Sequence, residues 1–214
     1  MRNKMAMVKR GKFIVLDGVD GCGKGTQAKL LTAYIFDKSK DNHVCLTREP
    51  YRSRYYQEIR RLLKSGLDPL ANALRLAWLF VADRKVHVKM IFRHLREVHH
   101  IISDRYKYST LAYQQAQGVS LKKLIAMHRG ILVPDLTIIV DVPIKVALQR
   151  IKKDIKGGKR YKEVFEQKAF QEKLRKNMLA LPKQLPKERI VVINGNQSKE
   201  KVFEAIRREV DKIL

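Results

Sequence analysis

Acidic residues are scarce in this chain. Over 214 residues, 21 aspartates and glutamates face 46 lysines and arginines, a formal net charge of +25. So large an imbalance invites a nucleic-acid or anionic-surface reading. The basic residues are nevertheless spread over nearly every helical stretch, and no single arm carries them. Phosphate-bearing substrates profit from the same positive field, so nucleic acid is not the expected partner. Cysteine is scarcer still: Cys22 and Cys45 are the only two, without metal-ligand spacing and too few for a disulfide framework. That excludes a disulfide scaffold and indicates a reducing compartment. No apolar run approaches the ~18 residues of a membrane span. The opening MRNKMAMVKRGK is basic but lacks an apolar core, so no signal peptide is expected and the protein is placed in the cytoplasm. Internal repeats and long linkers are also missing. The length suits a single domain, residues 1–214, with a sizeable core and a small inserted lid.

What is present is organised around residues 13–27, FIVLDGVDGCGKGTQ. Phe13, Ile14, Val15, Leu16 and Asp17 have buried-strand character and run into Gly18. A glycine-rich turn follows, then Lys24, Gly25, Thr26 and an apolar periodicity through Ala28, Leu30, Leu31 and Ile35. Strand, Gly18-x-x-x-x-Gly23-Lys24 and helix together form a nucleotide-triphosphate loop, residues 18–26. Its glycines let backbone N–H groups converge on phosphate oxygens, and the new helix points its positive dipole end at the same anion. The expected ATP contacts are therefore Gly18, Asp20, Gly21, Cys22, Gly23, Lys24, Gly25 and Thr26. Lys24 adds a point charge that can follow the β- and γ-phosphates. The usual Ser or Thr after the lysine is displaced, because Gly25 stands there and Thr26 comes one later. Cys22 fills a small-residue slot.

Along the chain, strands alternate with helices. Residues 43–47 (HVCLT), 98–103 (VHHIIS), 136–142 (LTIIVDV) and 189–193 read as four further strands. The 136–142 run is apolar throughout, as in a parallel sheet buried on both faces. Helices are expected over 55–63, from near 70 to 95, from Ser109 to Gly118, and over 121–129, 146–156 and 200–214. Five strands with helical crossovers imply an α/β fold, a doubly wound five-stranded parallel sheet flanked by helices. Ligands then bind outside the carboxyl ends of the strands.

Those strand ends carry polar groups. Asp17, Gly18, Val19 and Asp20 close the first strand; Thr47, Arg48, Glu49 and Pro50 the second; Ser103, Asp104, Arg105 and Tyr106 the third. Carboxylates beside phosphates position magnesium, which keeps several waters and takes few protein ligands. Arg48 and Arg105 beside a phosphate loop imply a second phosphate group facing the triphosphate. On the apolar helix from 70 to 95, Phe80 and Arg84 share one face, a ring beside a guanidinium that suits a nucleobase. Phenylalanine in such a helix is also ordinary core, whereas Asp83 and Arg84 need partners or a ligand there. Ser109, Thr110, Tyr113 and Gln114 form a comparable face on the next helix. His87 reads as structural, and His99 and His100 alternate along a strand and receive no role.

The pieces DGVDGCGKGTQ, TREP at 47–50, LFVADR at 79–84, DRYKYSTLAYQ at 104–114 and PDLTIIVDVP at 134–143 together resemble the thymidylate kinases of the phosphate-loop kinase superfamily. The resemblance covers nearly the whole chain, and DRY-x-x-S-x-x-AYQ is its most specific element. It implies transfer of the γ-phosphoryl of ATP to dTMP, giving dTDP, with Mg2+ required. Lys24 and the loop would hold the ATP phosphates, and Asp20 would lie near the sugar hydroxyl and the metal. Arg48 and Arg105 would grip the monophosphate, with Asp104, beside Thr26 and Asp20, serving the metal. Phe80 would stack on thymine and Arg84 would address its edge oxygen. Ser109, Thr110 and Gln114 would line the base pocket, while Tyr113 would crowd the ribose 2′ position. A homodimer is also implied, and the broad apolar surface of the 70–95 helix suits one.

Two features depart or add detail. Family members commonly follow TREP with Gly-Gly-Thr, whereas this chain has Tyr51, Arg52 and Ser53, so the path of that loop is open. The loop residue after Asp20 is Gly21, which leaves Lys24 as the loop's only cation. The segment 150–163 carries seven basic residues, Arg150, Lys152, Lys153, Lys156, Lys159, Arg160 and Lys162, against Asp154 and Glu163. With Gly157 and Gly158 as a hinge, it reads as a mobile lid that brings Arg150, Arg160 or Lys153 to the transferring phosphoryl. The rival readings are another nucleoside or nucleotide kinase of this fold, and a basic nucleic-acid-binding protein on an inactive kinase fold.

Overall fold

The structure, a computed structural model, describes residues 10–64, 72–97, 99–158 and 167–214. Residues 159–163 of the expected lid, Arg160 among them, lie outside the described residues. Five strands form one sheet: β1 (Phe13–Asp17), β2 (Val44–Arg48), β3 (His100–Asp104), β4 (Leu136–Asp141) and β5 (Ile190–Asn194). Their order is β2-β3-β1-β4-β5, and every neighbouring pair is parallel. β1 is buried along its whole length, as its unbroken apolar run requires.

Eight helices are described: α1 (Lys24–Lys38), α2 (Tyr56–Lys64), α3 (Ala73–Arg96), α4 (Lys107–Ala116), α5 (Leu121–Met127), α6 (Ile144–Lys156), α7 (Lys168–Gln184) and α8 (Lys199–Asp211). α1 packs with α8, while α4 packs with α3, α5 and α7. The fold class and every expected strand are thus present. Two corrections concern helices. α4 starts at Lys107 rather than Ser109, because the Asp17 carboxylate caps it: Oδ2 accepts from the backbone N–H of Ser109 at 2.9 Å and of Tyr106 at 3.3 Å. α7 is a helix that the strand-and-helix reading omitted. It buries Gln171, Leu174, Met178 and Leu181 along one stripe, and Asn177 Nδ2 donates to the Ala112 carbonyl of α4 at 3.2 Å.

The topology creates the site. β1 and β3 lie side by side, in register from Phe13 with Ile101 to Leu16 with Asp104. The chain leaves β1 toward one edge of the sheet and leaves β3 toward the other. Between diverging connections the carboxyl ends open a crevice. The glycine loop, Asp104 and Arg105 all enter it.

Candidate active site

The loop after β1 holds its shape by close backbone approach. Gly18, Gly21 and Gly23 all have positive φ. A Cβ at Gly21 would stand 2.4 Å from the Ala147 carbonyl oxygen of α6. Sterics and φ therefore both exclude an arginine at that loop position. Cys22 is buried, and Gly18 leaves room for its sulfur: a Cβ on Gly18 would meet Sγ at 2.9 Å. Burial raises the Cys22 thiol pKa, which suits packing rather than nucleophilic chemistry. Lys24 is 7% exposed, and its ammonium donates to the Val19 carbonyl at 3.2 Å and lies 3.7 Å from Asp20. α1 begins at Lys24, directly after the glycine turn, so the positive end of its dipole meets the loop, the arrangement that receives phosphate.

Arg150 of α6 reaches the same loop. Its Nη1 donates to the carbonyls of Gly21 and Cys22 at 3.3 Å each. Lys153 is exposed. Of the three expected lid cations, Arg150 is the one that the described structure brings to the phosphate loop.

Arg105 is the pivot between the two halves of the site. Its φ of 76° lies in the left-handed region, where a non-glycine residue costs on the order of 1 kcal/mol. Two bonds hold it there: its N–H donates to the Leu16 carbonyl at 2.9 Å, and Ser103 Oγ donates to its carbonyl at 2.7 Å. The guanidinium thereby turns into the crevice, where it pairs with Asp20 and donates to Ser109 Oγ at 2.8 Å. Tyr113 Oη donates to the other Asp20 oxygen at 3.1 Å. Asp20 thus ties Arg105, Lys24 and Tyr113 together. Beneath them Asp17 is fully buried, and desolvation raises its pKa although Arg105 opposes the shift.

Asp104 faces Arg48 across the β2–β3 edge, with Oδ2 3.2 Å from Arg48 Nε. The same oxygen would lie 3.2 Å from a Cβ on Gly25, so Asp104 looks onto the start of α1. Its Oδ1 is buried and has no hydrogen-bond partner among the described residues. An orphaned carboxylate oxygen beside a phosphate loop fits a hydrated divalent cation, which takes one or two carboxylates and keeps its waters. Thr26 is exposed in the first turn of α1.

A cavity of about 450 Å3 extends from this centre. Asp20, Arg48, Phe80, Arg84, Arg105, Ser109, Thr110, Tyr113 and Gln114 all line it. Every residue expected to bind the acceptor nucleotide is therefore gathered in one place, drawn from five separate segments. Arg84 is 1% exposed and held on three sides. Its Nε donates to Glu49 Oε2 at 2.7 Å, with Nη2 2.6 Å from the same oxygen, and Nη2 also donates to Thr110 Oγ1 at 3.1 Å. Nη1 meets His128 Nε2 at 2.7 Å. A guanidinium has five N–H donors, so one on Nη1 remains. Thr110 accordingly orients Arg84. Burial and the Arg84 charge push the His128 pKa down to about 3, and its Nδ1 donates to the Leu124 carbonyl at 2.7 Å. His128 is a neutral acceptor for Arg84. Gln114 is fully buried; Nε2 donates to Gln117 at 2.8 Å, while Oε1 has no partner among the described residues.

The loop after TREP solves its lack of glycine through Asp83. The Tyr51 N–H and the Ser53 hydroxyl each donate to Asp83 at 2.6 Å, and Tyr51 stacks on His87 at 4.6 Å. Asp83 is buried, which raises its pKa, and the loop supplies the partners that such a charge needs. His87 is fully buried, bonded to Glu49 Oε1 at 3.0 Å and Thr47 Oγ1 at 2.8 Å, and does not line the cavity. Sequence reasoning named Glu49 and Asp17 only as polar strand ends, without their partners, and missed His128. All three act through another residue, and their partners lie 35, 92 and 44 positions away.

A parallel sheet of this order, with a glycine loop after β1 and opposing arginines at the carboxyl ends of β2 and β3, defines a phosphate-loop nucleotide kinase. A solved thymidylate kinase from Candida albicans shares the fold, with a TM-score of 0.74 and 24% identity over 95% of this chain and 92% of that one. The family model described as thymidylate kinase matches residues 16–206. A probable thymidylate kinase of Thermococcus onnurineus is 42% identical over 84% of this chain and 88% of its own length. The thymidylate kinase of Carboxydothermus hydrogenoformans is 36% identical over 92% and 96%. The chain belongs to the thymidylate kinase family, whose chemistry is ATP-dependent phosphoryl transfer.

Proposed function

We propose that this protein transfers the γ-phosphoryl of ATP to dTMP, giving dTDP and ADP. The observation that carries the acceptor reading is the buried, unpartnered Oε1 of Gln114, a residue that lines the same cavity as Arg84 and Arg105. Thymine offers an N3–H donor to that acceptor and an O4 acceptor to the remaining Arg84 N–H. Phe80 lends its ring face to the base. Tyr113, fixed by Asp20, crowds the ribose 2′ position and favours the deoxynucleotide. Arg105 and Arg48 take the 5′-phosphate in fork geometry. Lys24 and the loop N–H groups take the ATP phosphates, and Arg150 supplies a further cation at the loop's edge. Asp104, Thr26 and Asp20 would hold Mg2+ through the water shell, and the bound ion would neutralise charge on the phosphate oxygens. No covalent intermediate is needed, because in-line positioning and charge neutralisation supply the catalysis.

The assembly we read is a cytoplasmic homodimer of one-domain protomers. Leu74, Trp78, Val86 and Phe92 are exposed on α3, on a face shared with the exposed Lys85 and Lys89, and a second copy would cover these apolar side chains. Among the described residues no helix is long and apolar enough to cross a membrane. Sedimentation at micromolar concentration checks the dimer, and a mass of only 24.9 kDa would count against it.

ADP release from ATP and Mg2+ with dTMP, dUMP, dGMP and dCMP tests the activity. Fastest release with dTMP is expected. Preference for another monophosphate would favour a different nucleotide kinase, and no release with any would favour a basic binding protein on an inactive fold.

A further inference from the structure

At the end of the sheet opposite the active site, three potential ligands meet between α3 and β3. His94 lies in the last turn of α3, Glu97 is the helix C-cap, and His99 stands just before β3. Alternation with His100 gives His99 no ligand partner within the strand; its partners come from the helix before it. The backbone draws them together, because the N–H groups of Glu97 and His99 both donate to the His94 carbonyl, at 3.1 and 3.0 Å. Gly11 pins the turn from below. Its N–H donates to the Leu95 carbonyl at 3.0 Å, and a Cβ there would collide with the His99 carbonyl at 1.8 Å.

The side-chain atoms form a small triangle. His94 Nδ1 and His99 Nδ1 face each other at 3.2 Å, and Glu97 Oε2 lies 3.4 Å from the first and 3.8 Å from the second. A point about 2.0 Å from all three atoms exists at its centre, which matches the ~2.0–2.2 Å bonds of zinc to imidazole and carboxylate. Sides of this length are also the edges of a tetrahedron with such bonds. The other oxygen of Glu97 accepts from Arg93 Nε at 3.2 Å, so the carboxylate is oriented from behind. Both imidazoles are half-buried and Glu97 is exposed, which leaves room for water as a fourth ligand.

The geometry points to a transition-metal site, with Zn2+ held by His94, Glu97, His99 and one water. It would clasp the end of α3, which carries Phe80 and Arg84, to the start of β3. Two imidazoles and a single carboxylate suit zinc, whereas magnesium demands an octahedral oxygen set. The site is separate from the magnesium position at Asp104 and its role is structural.

Cobalt substitution tests it, because Co2+ reports tetrahedral nitrogen and oxygen ligation by its visible spectrum. The full chain is titrated with Co2+ in excess Mg2+. One Co2+ per chain, displaced by Zn2+, and a Zn2+-dependent rise in thermal midpoint are expected. His94→Ala and His99→Ala should each weaken Co2+ binding by about tenfold or more, with dTMP-dependent ADP release unchanged. Should His94→Ala disturb the helix end, Glu97→Gln at an exposed position gives the same reading on a folded protein. A parent protein without a tetrahedral Co2+ spectrum would overturn the site, as would variants that bind as the parent does.

Discussion

Glutamine in place of Glu49 keeps the side-chain shape and removes its charge, and this change probes how the acceptor pocket is held. Glu49 is 4% exposed and its partner Arg84 1%. Both carboxylate oxygens are committed, Oε2 to Arg84 and Oε1 to His87. The substitution leaves a buried guanidinium without its counter-charge, and removing one partner of such a pair costs about 3–5 kcal/mol. Glutamine retains one acceptor oxygen, so the loss should fall near the lower end, about 3 kcal/mol. For a chain of this size that lowers Tm by roughly 6–12 °C. On the proposed reading of Arg84 as the base contact, the KM for dTMP should also rise about tenfold or more, with kcat less affected. Scanning calorimetry and steady-state ADP release read the two effects. Glu58→Gln, which loses an exposed pair with Arg75, is the control and should stay within about 0.5 kcal/mol of the parent. A Glu49→Gln protein with parental stability and parental KM would refute the account of Arg84.

Lys24→Ala should remove phosphoryl transfer while circular dichroism shows an unchanged fold; an active variant would displace the donor site. Arg150→Ala should lower kcat on the order of 10²-fold with dTMP affinity little changed. Parental kcat in Arg150→Ala would move the cation to Lys153 or Arg160. His128 predicts a pH effect with a definite sign. Its folded pKa of about 3 lies below the ordinary 6.5, so the unfolded chain takes up the proton first. Its contribution to stability is intact above pH 6.5 and is lost as pH falls from there toward 3, by about 2 kcal/mol at pH 5. Denaturant midpoints at pH 7 and pH 5 should therefore differ less in His128→Gln than in the parent, and equal differences would contradict the buried neutral histidine.

The elements legible in the sequence were those whose signals are local. The 13–27 stretch carries strand, glycine turn and helix in one unbroken run, and β1, the loop and α1 lie where it indicates. Phe80 with Arg84, and Thr110 with Tyr113 and Gln114, sit at helical spacings, and each set faces the cavity. Other features were hidden because their causes are distant. Nothing beside Ser109 shows that Asp17 will cap α4 and start it at Lys107. Glu49 reads as part of TREP, and only the fold makes it the counter-charge of Arg84. α7 had a readable signal in Phe170, Leu174, Met178 and Leu181, but it follows the basic lid run and contains Pro182 near its end. The substituted turn after TREP depends on Asp83, which sequence alone marks as a charge in need of a partner.

The central contact of the proposed acceptor pocket is Gln114 reading the N3–H of thymine. Competition by 3-methyl-dTMP against dTMP measures this directly, since the analogue replaces that donor with a methyl group and keeps the phosphate, sugar and O4. Leaving Gln114 Oε1 unpaired and crowded should weaken inhibition by about 10²-fold or more relative to the KM for dTMP. An inhibition constant within about threefold of that KM would contradict the assignment of the acceptor pocket.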